Sequence, residues 1–207
     1  MVGKDLKTEE FCIIGDAIIG DNVKLGSHTI IEDDVVVGNS CKIGHHVVLK
    51  SGTRMGHNVD FADYCCTTGL SYIGNNVAVR TRSTVSKGVI LEDRVFIGAG
   101  VMMSHTKNIY HFRPDMPKKQ LITHVYPGAV IGSHSNLMAG VTIGWNVVIG
   151  YSSFVVKNHI KAGVYFGRPS EFAMSLPKAM EIEEPSNWIP YEFPVEMIKK
   201  YLPYALR

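Results

Sequence analysis

The chain has 207 residues, of which 45% are hydrophobic and 19% charged, with a net charge of +2. That balance excludes a charged disordered polymer and gives no case for a nucleic-acid binder, whose surface is far more basic. No apolar run approaches the roughly 18 residues of a membrane span. The first residues, MVGKDLKTEEF, carry charge where a secretory leader needs an apolar stretch, so a cytoplasmic protein without a membrane partner is expected.

Residues 1–12 read as an N-terminal cap, and a repeat begins at Ile13. Every sixth residue from there is large and apolar: Ile13, Ile19, Leu25, Ile31, Val37, Ile43, Leu49, Met55, Phe61, then Ile73, Val79, Val85, Leu91, Ile97 and Met103, with only Thr67 departing. A second row, four residues on, is small or β-branched: Ala17, Val23, Thr29, Val35, Cys41, Val47, continuing to Val101. Gly20, Gly26, Gly38, Gly44, Gly56, Gly74 and Gly98 directly follow large residues. A period of six fits neither an isolated helix nor a hairpin sheet. It fits a coil of three short faces with Gly, Asn and Asp at the corners, where positive φ is expected. Cys41 and Cys65 fall in the small row, and no CxxC spacing occurs among Cys12, Cys41, Cys65 and Cys66. Buried thiols in a reducing compartment are therefore expected.

The register breaks after Met103 and resumes as Val125, Ile131, Leu137, Ile143, Ile149 and Val155. Residues 104–124 therefore read as an excursion from a β-helix of about seven coils spanning 13–165. Long aperiodic loops are functional or disordered. This one carries Lys107, Arg113, Lys118 and Lys119 against Asp115, together with His105, His111 and His124. Residues 166–207 lose the period. The stripe Val195, Ile198 and Leu202 behind Pro194 predicts a short amphipathic helix, which would cap the solenoid end. Trp188 and Tyr191 in the same tail are candidates for lining a ligand path.

The stretches VFIGAGVMMSH, VIGSHSNLMAGVTIGWNVVIGYSSFVVK and VYFGRPSEF resemble the hexapeptide-repeat acetyltransferases. The tail PSNWIPYEFPVEMIKKYLPYAL is similar to the C-terminal segment of the xenobiotic acetyltransferase branch. The period alone leaves the hand of the coil open, and the ordinary crossover rule favours a right-handed one. The resemblance implies the opposite: an all-β, left-handed parallel β-helix, assembled as a homotrimer with sites between subunits. It also implies acetyl-CoA as co-substrate.

On the same resemblance, Ser133 meets the thiol end of the cofactor, with Gly140 in the same stretch. Tyr151 stands where pantetheine is contacted, although the family has Ala or Gly there. Lys157 lies near the 3′-phosphate, and Gly167 and Arg168 fall where the chain leaves the last coil. His105 matches the histidine that follows the equivalent coil in galactoside and maltose acetyltransferases, with Thr106 replacing the family's Pro. Acyl transfer to an alcohol needs a base near neutral pKa, which makes His105 the first catalytic candidate. His134 is the rival, because the resemblance to sugar-nucleotide N-acetyltransferases, which commonly lack the loop His, implies a His near this position in some members; their amine nucleophile, once neutral, needs less help. Lys107 and Arg113 are candidates for a phosphorylated acceptor. His28, His45, His46, His57 and His159 are taken as surface residues. The loose spacing of the loop histidines gives no metal site.

The leading expectation is acetyl transfer to the amino group of a nucleotide-linked sugar. O-acetylation of a sugar hydroxyl, polysaccharide or antibiotic is the alternative, and a non-catalytic β-helix scaffold stands behind both.

Overall fold

The computed structural model describes residues 1–117 and 120–183. The predicted helix over 194–202, Trp188, Tyr191 and the charges of Lys118 and Lys119 lie outside these residues.

The chain winds as a left-handed parallel β-helix of very short strands, most of two residues. Three sheets of ten, eight and seven strands form the faces of the prism. Large inward residues stack in register. On the first sheet, Leu25, Ile43, Phe61, Val79, Ile97, Ile131, Ile149 and Tyr165 pair in succession. On the third, the column is Ile19, Val37, Met55, Ile73, Leu91, Val125 and Ile143. These residues and the small row beside them are buried and form one continuous core. β-Branched and aliphatic residues suit this setting, because each strand from Ile18–Ile19 to Phe154–Val155 has one face inside.

The repeat explains even its exception. Thr67 is 1% exposed. Its hydroxyl accepts from the Lys50 amide at 2.8 Å and lies 2.7 Å from the Thr53 hydroxyl. A polar residue is tolerated in the row because its polar atom is satisfied.

Three features differ from the sequence expectation. The prism has about nine coils, not seven. The first sheet begins at Lys7–Thr8 and runs on to Gly163–Gly167. Lys7 and Thr8 are exposed, and Tyr165 follows Ile149 off the six-residue register, so a count of rows misses both end strands. An antiparallel strand, Ser170–Met174, then folds back on the last one. At the other end Ile13 is 61% exposed. Ile14, not Ile13, pairs with Ile31, so the first coil has one residue fewer.

The third difference concerns the corners. The positive-φ positions are held by His28, Ser40, His46, Tyr64, Arg82 and Arg94 as well as by Asn22, Asn58 and Asn76. The glycines that follow the large row are needed for another reason, the closeness of the next coil. A Cβ on Gly98 would sit 2.5 Å from the Ser133 amide nitrogen. Gly98→Ala is expected to cost about 1–3 kcal/mol by forcing two coils apart, read as a fall in Tm. An unchanged Tm would show that the coil spacing yields freely.

Helix is confined, among the described residues, to the 3-10 turn Lys178–Met180. None is long and apolar enough to cross a membrane. Beyond that turn the chain returns to the prism: Trp145 Nε1 and Asn146 Nδ2 donate to the Ile182 carbonyl at 3.2 and 2.8 Å. All four cysteines are free, with Cys41 and Cys65 buried.

Candidate functional site

The excursion leaves the second sheet after Met102–Met103 and rejoins the third at Thr123–Val125. It therefore runs over 104–122, and His124 belongs to the returning strand rather than to the loop. A bridge between Thr106 and Gln120 closes its base, reinforced by the Leu121 amide donating to the His105 carbonyl at 3.3 Å. His105 is half-buried at this neck. Lys107 and Arg113 are exposed further out, and Arg113 Nη1 donates to the His111 carbonyl of the loop itself at 2.9 Å. Ile109 and Phe112 stand 74% and 93% exposed.

The candidate cofactor residues sort onto two edges of the prism. Ser133, His134 and Tyr151 lie on the edge between the first and second sheets. Gly140 and Lys157 lie on the edge between the second and third sheets, the one that carries the excursion. His134 is exposed at a corner with φ 59° and stacks against the open face of Gly100, where a Cβ would come within 2.7 Å of its ring. The structure thus places His105 and His134 on different edges.

Beside Tyr151 a cavity of about 390 Å³ is lined by Gly150, Tyr151, Ser152, Phe166 and Gly167. Both rings are exposed. Arg168 adjoins it, its Nε donating to the Ser152 carbonyl at 2.8 Å. Lys157 reaches the same terminal hairpin by donating to both carboxylate oxygens of Glu171, at 2.8 and 2.9 Å.

Sequence reasoning passed over a buried acid–base pair. Glu92 is 0% exposed, and its carboxylate meets His124 Nε2. Among the described residues the other oxygen of Glu92 has no hydrogen-bond partner. The Tyr126 ring stacks on His124 with centroids 4.2 Å apart. Burial first, and then the Glu92 charge, push the Tyr126 hydroxyl above its ordinary pKa. The available signal was positional: Glu92 stands in a corner column of the third sheet that is Gly at Gly20, Gly38, Gly56, Gly74 and Gly144.

His159, expected at the surface, is 3% exposed. It lies 2.8 Å from the Ser170 hydroxyl and stacks on Tyr165, so the antiparallel strand covers it. Burial first, then the nearby Lys157 charge, lower its pKa, with Glu171 opposing. The unfolded chain then binds the proton more readily than the folded one. Stability is expected to fall as pH drops through the unfolded value of about 6.5, levelling off below the folded value. Urea titrations from pH 8 to 5 should show this slope, and His159→Gln should flatten it. Among the described residues no three His, Cys, Asp or Glu side chains gather as a metal site.

Residues 72–104 match the family model described as the hexapeptide repeat of succinyl-transferase. No curated protein matches the chain. Among solved structures, LpxA from Acinetobacter baumannii is similar at 17% identity and TM-score 0.57, covering 80% of this chain and 73% of that one. A hexapeptide transferase family protein from Anaplasma phagocytophilum matches at 14% identity and TM-score 0.49, covering 99% and 93%. A mutant of AntD, an N-acyltransferase from Bacillus cereus in complex with dTDP and Coenzyme A, matches at 19% and 0.41, covering 98% and 90%. Residues 72–104 carry a hexapeptide repeat, and the chain has the left-handed β-helix fold.

Proposed function

We propose that this protein is an acetyl-CoA-dependent acyltransferase that acetylates a sugar, with the amino group of a nucleotide-linked amino sugar as the first candidate. The observation that carries the reading is the cavity between Tyr151 and Phe166 at the C-terminal coils. Two exposed rings suit a purine face, and Arg168 and Lys157 suit phosphates. The backbone N–H at the Ser133 corner suits an amide of pantetheine, whereas the Gly140 N–H already donates to the Thr123 hydroxyl at 3.1 Å. Lys107 and Arg113 on the excursion would meet a phosphorylated acceptor, and Tyr151 and Gly167 would border the cofactor.

The cavity and the excursion lie on different edges of the prism. A site that uses both needs neighbouring copies, which supports a homotrimer. Exposed Ile109 and Phe112 on the excursion fit burial against such a neighbour. O-acetylation remains the second reading, favoured by the half-buried His105 at the neck, since an alcohol needs a base more than a neutral amine does. His105 and His134 are the two bases nominated by the sequence.

The test is thiol release from acetyl-CoA against dTDP- and UDP-linked amino sugars, galactosides, maltose and chloramphenicol. Turnover confined to amino-sugar nucleotides supports the first reading, and turnover on hydroxyl acceptors supports the second. Absence of both turnover and acetyl-CoA binding would leave the scaffold.

A further inference from the structure

The corner after each large residue of the third sheet is Gly20, Gly38, Gly56, Gly74 and Gly144, but Glu92 and Tyr126 in two successive coils. At Gly56 and Gly74 an added Cβ would stand 2.6 Å from the next coil, so the repeat has a steric reason for glycine. The departure is confined to the two coils that bracket the excursion. There the chain carries a wholly buried carboxylate with one oxygen unpartnered among the described residues. Such a group is costly to keep. A purely structural corner would do better with glycine.

The arrangement has the parts of an oriented base. Thr123 and Val125 are buried, so strand alternation turns His124 to the outer face of the third sheet. It sits between Ile90 and Thr142 in register, directly after the excursion. Its side chain is 16% exposed. Nε2 is engaged by Glu92 and the ring is held against Tyr126, which leaves Nδ1 to accept a proton. The other described His–carboxylate pair, His45–Glu9, is exposed at the far N-terminal end. Neither His105 nor His134 pairs with a carboxylate within the described residues.

We propose that His124, oriented by the buried carboxylate of Glu92, is the base that takes the acceptor's proton. This rests on the acyltransferase reading. The acceptor nitrogen or oxygen attacks the thioester carbonyl carbon and passes its proton to His124 Nδ1. The C–S bond breaks, and the imidazolium returns the proton to the departing thiolate, giving acetylated acceptor and free CoA. His124 is the catalytic residue, and Glu92 is a positioning residue that fixes the tautomer.

Thiol-release kinetics on the full-length protein test it, using the best acceptor of the panel above. His124→Ala should lower kcat by about 10²- to 10⁴-fold, with acetyl-CoA Kd and Tm retained, and added imidazole should restore part of the rate. Glu92→Gln should lower kcat without raising the KM for acetyl-CoA, and Glu92→Asp should recover part of the loss. Full kcat in His124→Ala would overturn the assignment. So would losses in His124→Ala and Glu92→Gln that track Tm and resist imidazole. Should His124→Ala not fold, Glu92→Gln and Glu92→Asp decide by the same kcat criterion. Absence of turnover by the unaltered protein would instead sink the acyltransferase reading.

Discussion

Phe61→Ala is expected to lower the free energy of unfolding by about 3–5 kcal/mol. The Phe61 ring is wholly buried between Ile43 and Val79. A coil has no second layer that can collapse into the space, because each one touches only its neighbours. The loss should therefore appear locally. Amide exchange should rise in the first four coils, while protection persists from Val130 to Val155. Urea unfolding should shift to a lower midpoint with a shallower slope as the two halves uncouple. Phe96→Ala provides the contrast. That ring faces outward on the same sheet, is 37% exposed and lies under Arg80, so its removal should cost less than about 1 kcal/mol. An unchanged midpoint for Phe61→Ala would mean that the prism repacks around the gap.

The prism was legible because its physics is one-dimensional. One large and one small residue per face fill a narrow triangular core, and the six-residue period follows directly. The ends were less legible, since Lys7–Thr8 and Gly163–Gly167 pair through backbone hydrogen bonds that ask little of side-chain type. His159 was misjudged for the same reason. Its burial comes from the antiparallel strand Ser170–Met174, which carries no repeat. The roles of the glycines were read from local conformation, whereas their neighbours across the coil decide them.

The candidate site was legible only where it interrupts the repeat. The excursion showed as a register shift, and the placement of His105 at its neck follows from that shift alone. Glu92 and His124 are 32 residues apart in sequence. They meet because the loop is spliced between two coils that remain stacked, as Leu91 against Val125 shows. Aligning the glycine column across that splice exposes Glu92 and Tyr126 as the departures. Six-residue rows of large residues do not. The pairing of Lys157 with Glu171 had no sequence signal either, since it depends on the chain reversing after Gly167.

That reversal sets the second large effect. If Lys157 serves the 3′-phosphate of acetyl-CoA, Lys157→Ala should weaken binding by about 1.5–3 kcal/mol, roughly 10- to 100-fold in Kd. Binding of 3′-dephospho-CoA should be unchanged, since that ligand lacks the group the lysine would meet. Stability should barely move, because the ion pair with Glu171 is exposed on both sides and such pairs contribute at most about 1 kcal/mol. Glu171→Gln separates charge from shape. It frees the lysine from a carboxylate that competes with the phosphate, so acetyl-CoA affinity should rise, and this gain should shrink at high salt. Calorimetric titration of the three proteins with both ligands measures every term. Equal losses of acetyl-CoA and dephospho-CoA affinity in Lys157→Ala would remove the lysine from the phosphate and return it to the hairpin, as a residue that only fastens Glu171.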